Sequence, residues 1–211
     1  MSPSAEIERI LRLSPVMPVV VIEQAELAPE LARAFVRGGI RVVEITLRTP
    51  AALTAIEAVA REVPEIAVGA GTVLSADDLR AAASAGAAFA ISPGATPALL
   101  SAAASAPIPY LPAVATASEL MQGLACGHHC FKFFPAGPAG GVAMLQAFAG
   151  PFPRARFCPT GGITQDTVKS YLELPNVLCA GGSWLSPADA LAARDWKRIE
   201  ALAARAAGSR T

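Results

Sequence analysis

The sequence predicts an α/β protein, a (β/α)8 TIM barrel with an additional N-terminal helix, filling residues 1–211 as a single domain. Three observations predict it. Eight short apolar runs alternate with longer helical stretches along the chain. The runs are apolar throughout, with little polar alternation, as expected for parallel strands covered by helices. No Gly-x-Gly-x-x-Gly turn follows the first run, which argues against an open doubly wound sheet.

The elements follow in order. A helix over residues 5–13 carries Glu6, Glu8, Arg9 and Arg12 at helical spacing. Strands are expected at 17–22, 40–45, 66–70, 88–91, 110–112, 130–134, 156–159 and 177–180. The helix around 31–37 ends at Gly38-Gly39, a C-cap signal. Thr49-Pro50, Thr96-Pro97 and Ser186-Pro187 each offer an N-cap before a proline at the first helical position. Ser75-Ala76-Asp77-Asp78 resembles a capping box with Asp in place of Glu. A closing helix covers 195–206. The length is near the lower limit for eight such units, so the loops must be short.

Composition narrows the function classes. The chain is 53% hydrophobic with a formal net charge of zero, so neither nucleic acid nor an anionic membrane is an expected partner. The alanine-rich region 81–106 is interrupted by Ser84, Gly86, Pro93, Gly94 and Pro97 and is no membrane span. The N-terminus lacks the basic-then-apolar order of a secretory signal, and a cytoplasmic location is expected. Four cysteines are too few for a disulfide framework and read as small core residues. Cys126-Gly127-His128-His129-Cys130 is the one metal-like cluster. It lacks a second ligand pair at zinc spacing and reads as a helix end followed by a strand start. No metal and no other cofactor is expected.

The chemistry is concentrated at the strand ends, where barrels carry their active sites. Lys132 is one of three lysines and sits in the apolar run Cys130-Phe131-Lys132-Phe133-Phe134-Pro135. An ammonium stripped of water tends to lose its proton, and a neutral amine attacks ketones to form a Schiff base. The bland alternative is a lysine whose head reaches solvent. Strand alternation puts Val42, Glu44 and Thr46 on one face and Cys130, Lys132 and Phe134 on another. If both faces are inward, Glu44 and Lys132 meet across the interior, with Glu44 an acid or base. A structural salt bridge from Glu44, for example to Arg156, is the competing reading. Arg48 offers a guanidinium fork for a carboxylate, and the Thr72 hydroxyl could join it. Thr160-Gly161-Gly162 and Gly181-Gly182-Ser183 follow the seventh and eighth strands, the customary phosphate position in barrels.

Six segments resemble the bacterial 2-keto-3-deoxy-6-phosphogluconate aldolase family, which includes 4-hydroxy-2-oxoglutarate aldolases. They are Val42-Val43-Glu44-Ile45-Thr46-Leu47-Arg48-Thr49, Val68-Gly69-Ala70-Gly71-Thr72-Val73-Leu74, Phe89-Ala90-Ile91-Ser92-Pro93-Gly94, Phe131-Lys132-Phe133-Phe134-Pro135-Ala136, Arg156-Phe157-Cys158-Pro159-Thr160-Gly161-Gly162-Ile163 and Leu178-Cys179-Ala180-Gly181-Gly182-Ser183-Trp184. They run in family order over nearly the whole chain. The resemblance implies a class I aldolase, usually a homotrimer, acting on a small 2-keto acid phosphate. It implies Lys132 as the Schiff-base lysine and Glu44 as the general acid/base, with Arg48 and Thr72 holding the pyruvate carboxylate. Pro93 and Phe134 would line the pyruvate pocket, and Thr160 would contact substrate. Gly161, Gly162, Gly181, Gly182 and Ser183 would take the phosphate. One departure is Ala113, where many relatives carry glycine. Cleavage of 4-hydroxy-2-oxoglutarate is the nearest alternative activity. A non-catalytic sugar-phosphate binding barrel, or an isomerase using Glu44, is the alternative of a different class.

Overall fold

A computed structural model gives the fold and describes residues 3–210. Among the described residues there are nine strands: β1 (Val16–Val20), β2 (Val42–Thr46), β3 (Ala67–Gly71), β4 (Phe89–Ile91), β5 (Tyr110–Leu111), β6 (Ala113–Val114), β7 (Cys130–Phe133), β8 (Arg156–Pro159) and β9 (Ala180–Gly182). Ten α-helices accompany them: α1 (Pro3–Leu11), α2 (Ala28–Arg37), α3 (Ala52–Glu62), α4 (Ala76–Ser84), α5 (Pro97–Ala103), α6 (Ala117–Ala125), α7 (Gly141–Ala149), α8 (Val168–Leu172), α9 (Ala188–Ala192) and α10 (Trp196–Ala207). Every strand pairing is parallel. Six strands form one sheet in the order β5-β4-β3-β2-β1-β9, and three form a second in the order β6-β7-β8. Isolated parallel bridges, Phe157↔Val177 and Thr160↔Gly181, tie β8 to the segment that carries β9. The architecture is α/β with a curled parallel sheet.

Two strand expectations need correction. The run at 110–112 is divided, with Tyr110–Leu111 pairing β4 and Ala113–Val114 pairing β7. Pro112 lies at the seam. It has no N–H to extend a ladder, but its carbonyl still accepts from the Lys132 amide at 2.9 Å. Ala113 is accommodated there as an ordinary strand residue opposite Lys132. The last strand is Ala180–Gly182, displaced toward the C-terminus from the expected 177–180. Gly181 and Gly182 are therefore strand residues, paired with Met17 and Pro18 of β1.

The alternation of side chains builds two apolar layers. Val43, Ile45, Phe131, Phe133 and Phe157 face the helices in the larger cluster. There Phe148 of α7 stacks on Phe157, with ring centroids 5.8 Å apart. Met17, Val42, Phe89, Ile91, Leu111, Cys130 and Cys158 point to the opposite face and join Ile7, Ile10 and Leu11 of α1. The amphipathic N-terminal helix thus plugs the concave side of the sheet with its apolar stripe. Gly69 makes room for this packing, because a Cβ there would lie 2.3 Å from the Phe89 ring.

Helix starts are partly as expected. Thr96 caps α5 by accepting from the Leu99 amide, and Ser75 with Asp78 forms a full capping box on α4. Gly39 follows the α2 C-cap at φ 89°, a conformation suited to glycine. Thr49 does not cap α3. Its hydroxyl donates to the Ile22 carbonyl instead, and the helix begins at Ala52 without a side-chain cap. Ser186 does not cap α9 either, since that helix begins after Pro187 with no side-chain acceptor. The sequence reading missed the Thr116–Glu119 capping box of α6.

Burial, and secondarily the neighbouring His129, holds the His128 imidazole below its usual 6.5. The unfolded chain binds that proton more readily, so the stability contribution is full above about pH 6.5 and fades as pH falls through the depressed value. His128→Phe should therefore flatten part of the fall in urea midpoint between pH 7 and pH 5. Parallel curves for the two proteins would count against this account.

Candidate active site

Parallel pairing puts the C-terminal ends of all the strands along one edge, and the expected site residues lie at that edge. Thr72 follows β3 directly, Arg48 and Pro93 lie two residues beyond β2 and β4, and Phe134, Thr160 and Ser183 follow β7, β8 and β9. Inside this edge, Lys132 is 5% exposed and Glu44 is fully buried. They are 88 residues apart in sequence, and Lys132 Nζ donates to Glu44 Oε1 at 3.0 Å and to Oε2 at 3.3 Å.

The strands explain this meeting. Lys132 is fixed between Ala113 on β6 and Cys158 on β8, and Glu44 between Val19 on β1 and Gly69 on β3. Phe131 and Phe133 turn to the helix layer, so the amine does not lie among them. Its aromatic neighbour is Phe134, whose ring centroid is 5.4 Å from Nζ. The amine is buried, and the group it faces is the Glu44 carboxylate, the meeting expected if both strand faces point inward. Arg156, the competing partner for Glu44, donates instead to the Pro153 and Ala155 carbonyls.

Buried charges in direct contact are stable only as a pair. The contact is also reactive, because passing one proton from Nζ to Oε1 leaves a neutral amine beside a carboxylic acid. A nucleophile and its proton acceptor within hydrogen-bond reach is the arrangement that covalent catalysis needs.

The remaining residues form two groups. On the β7–β9 side contacts are direct. Thr160 is buried, with its amide donating to the Phe133 carbonyl at 2.9 Å and its hydroxyl 4.0 Å from Cys158 Sγ. Gly161 and Gly162 adopt φ of 100° and 76°, which only glycine enters easily. Gly181 and Gly182 are buried, and their missing side chains make room for Thr160 and the Trp184 ring. Ser183 is exposed beside them. On the β2–β4 side the groups are less engaged. Arg48 is exposed, and among the described residues no carboxylate pairs with it. Thr72 is half-buried at φ 58°, a left-handed conformation that strains a β-branched residue and is concentrated at functional sites. Pro93 is half-buried after Ser92, whose fully buried hydroxyl is hydrogen-bonded to the Tyr110 phenol.

Residues 7–202 match the profile of the KDPG and KHG aldolases, named for 2-keto-3-deoxy-6-phosphogluconate and 4-hydroxy-2-oxoglutarate. The chain belongs to this family. It is 55% identical over 199 residues to the KHG/KDPG aldolase of Escherichia coli K12, covering 94% of this chain and 93% of that one. It is 53% identical over 204 residues to the 2-dehydro-3-deoxy-phosphogluconate aldolase of Dickeya dadantii, covering 97% and 96%. The crystal structure of the Legionella pneumophila KDPG aldolase, with pyruvate captured at low pH as a covalent carbinolamine intermediate, matches with a TM-score of 0.94 at 46% identity, covering 99% of both chains. The resemblance read from the six segments is borne out.

Sequence reasoning missed three contributors. Thr46 donates from its hydroxyl to the Val20 carbonyl at 2.9 Å, tying β2 to β1 beside Glu44. The Ser92–Tyr110 pair anchors the segment before Pro93. Gly71 borders the Glu44 carboxylate directly. The alternation Gly69-Ala70-Gly71 was the available signal for the last. Among the described residues, no group of three or more His, Cys, Asp or Glu could hold a metal, and no helix is long and apolar enough to cross a membrane.

Removing one member of the buried pair leaves the other uncompensated, at a cost of about 3–5 kcal/mol. Glu44→Leu should destabilise the protein by that order in urea unfolding, and Glu44→Leu with Lys132→Met should recover most of the loss. Additive losses in the double variant would count against a coupled pair.

Proposed function

We propose that this chain is a class I aldolase that cleaves 2-keto-3-deoxy-6-phosphogluconate reversibly to pyruvate and glyceraldehyde 3-phosphate. One observation carries the reading: a dry lysine amine 3.0 Å from a fully buried carboxylate, at the C-terminal edge of a parallel sheet. The Legionella relative, in which pyruvate is captured as a carbinolamine, supports covalent chemistry.

The geometry of the buried pair and the family resemblance together support the following steps. Lys132 gives its proton to Glu44 and attacks the C2 ketone, forming a carbinolamine. Loss of water produces a protonated imine that draws electrons from the neighbouring bond. Glu44, ionised again and acting through a water, takes the proton of the C4 hydroxyl. The C3–C4 bond then breaks, its electron pair moves into the enamine, and glyceraldehyde 3-phosphate leaves. Glu44 returns a proton to C3, and hydrolysis frees pyruvate and Lys132. Arg48 and Thr72 hold the carboxylate so that C2 lies beside the amine, while Pro93 and Phe134 line the pyruvate pocket. Thr160 contacts the chain of the substrate. Gly161, Gly162, Gly181, Gly182 and Ser183 form the phosphate end, with Gly181 and Gly182 acting through the shape they give the wall. Binding there orients the chain for cleavage. The proposal extends to the assembly: a single domain that closes as a (β/α)8 barrel, a homotrimer and a cytoplasmic location, all on the family resemblance.

A second reading has its own support. The Escherichia coli relative is named for both substrates, so cleavage of 4-hydroxy-2-oxoglutarate to pyruvate and glyoxylate is the companion activity. That substrate has no phosphate, and Ser183→Ala should raise KM for the phosphorylated substrate selectively.

Borohydride reduction in the presence of pyruvate should fix a pyruvate adduct on Lys132, found by mass spectrometry of the digest. Lys132→Ala should show neither adduct nor turnover, and full activity in that variant would refute the assignment. Glu44→Gln should lower kcat by about 10²–10⁴-fold. Arg48→Ala should raise KM by roughly 10–100-fold, as for loss of a charged hydrogen bond.

A further inference from the structure

We propose that Gly71 is a positioning residue for the reaction: the side chain it lacks is the space that the Glu44 carboxylate occupies. A Cβ built on Gly71 would lie 2.1 Å from Glu44 Oε1, 2.6 Å from Cγ and 2.7 Å from Cδ. No carbon approaches an oxygen or another carbon that closely without covalent bonding. Gly71 does not have a positive φ, so backbone conformation does not require glycine there. The requirement is spatial. It also falls on a side chain and not on backbone, so an added methyl would move Glu44 before it moves the strand.

The neighbouring positions fit this reading. Gly69 and Gly71 alternate with Val68 and Ala70, which belong to the helix-side cluster. The inner face of β3 is therefore bare at two successive inward positions. Phe89 fills the lower recess at Gly69 and Glu44 fills the upper one at Gly71. Glu44 is fully buried and pairs across the interior with Lys132. The recess on β3 thus helps set where the carboxylate stands relative to the amine. Filling it pushes Oε1 away from Nζ while leaving both reactive groups in the protein.

The inference rests on the reading of Glu44 as the acid/base. Its test is Gly71→Ala, alone and combined with Glu44→Asp, assayed for cleavage and for borohydride trapping with pyruvate. Gly71→Ala should lower kcat by about 10²-fold or more and slow trapping at Lys132. Glu44→Asp alone should also lower kcat, because the shorter side chain withdraws from Nζ. Together they should be about tenfold or more faster than Gly71→Ala, because the Asp side chain ends one atom earlier and withdraws the carboxylate oxygen that would lie 2.1 Å from the new methyl. A purely structural role for Gly71 predicts no such rescue. A double variant no faster than Gly71→Ala overturns the inference. Should Gly71→Ala fail to fold, Gly71→Ala with Glu44→Ala and Lys132→Met, which leaves no unpaired buried charge, should fold, and failure of both would overturn it equally. Undiminished turnover in Glu44→Gln would instead overturn the acid/base reading. The recovery of stability in Gly71→Ala with Glu44→Ala and Lys132→Met would then still test whether Gly71 seats Glu44.

Discussion

The structure depends on one buried contact, the Lys132–Glu44 pair. Two opposite charges withdrawn from water are tolerable only when each satisfies the other, since desolvation of either alone costs several kcal/mol. Separation of the pair by more than an ångström or so would leave two uncompensated groups in a dry interior. The walls that hold it are correspondingly constrained. Lys132 is gripped by ladders to β6 and β8, and Glu44 by ladders to β1 and β3. Thr46 adds a side-chain tie from β2 to β1 just beyond the carboxylate.

The same contact links stability to chemistry. A lysine that is merely buried would be unreactive if its proton had nowhere to go. Here an acceptor lies at 3.0 Å, and a single proton shift leaves a neutral amine beside a carboxylic acid. The aromatic ring of Phe134 covers the amine without offering it a competing hydrogen bond. The left-handed Thr72 lies along the same edge, as does Arg48, with which no carboxylate pairs among the described residues.

Glycine plays two physically distinct parts around this site. Gly161 and Gly162 supply backbone angles that other residues reach only with strain. Gly69, Gly71, Gly181 and Gly182 supply volume, each vacating space for a neighbouring side chain: Phe89, Glu44, Thr160 and Trp184. In the sequence the two kinds look alike. Gly181-Gly182 reads as a loop after a strand, whereas it is the strand itself, because its pairing with β1 continues where the side chains stop.

The sequence by itself determined much of this protein. Period-two patterning grouped the residues of β2 and β7 that share a face, because alternation is a local property of an extended chain, while the packing decided which face is inner. It also located Ser75 and Thr96 as caps, since a cap is satisfied within three residues. Six ordered segments sufficed for the family. The tertiary structure alone decided matters between distant residues: that Glu44 pairs with Lys132 and not Arg156, that Thr49 bonds to Ile22, and that Pro112 divides a strand between two sheets. These depend on which strands become neighbours and on what volume lies between them. Such quantities are properties of packing in three dimensions, and no window of sequence contains them.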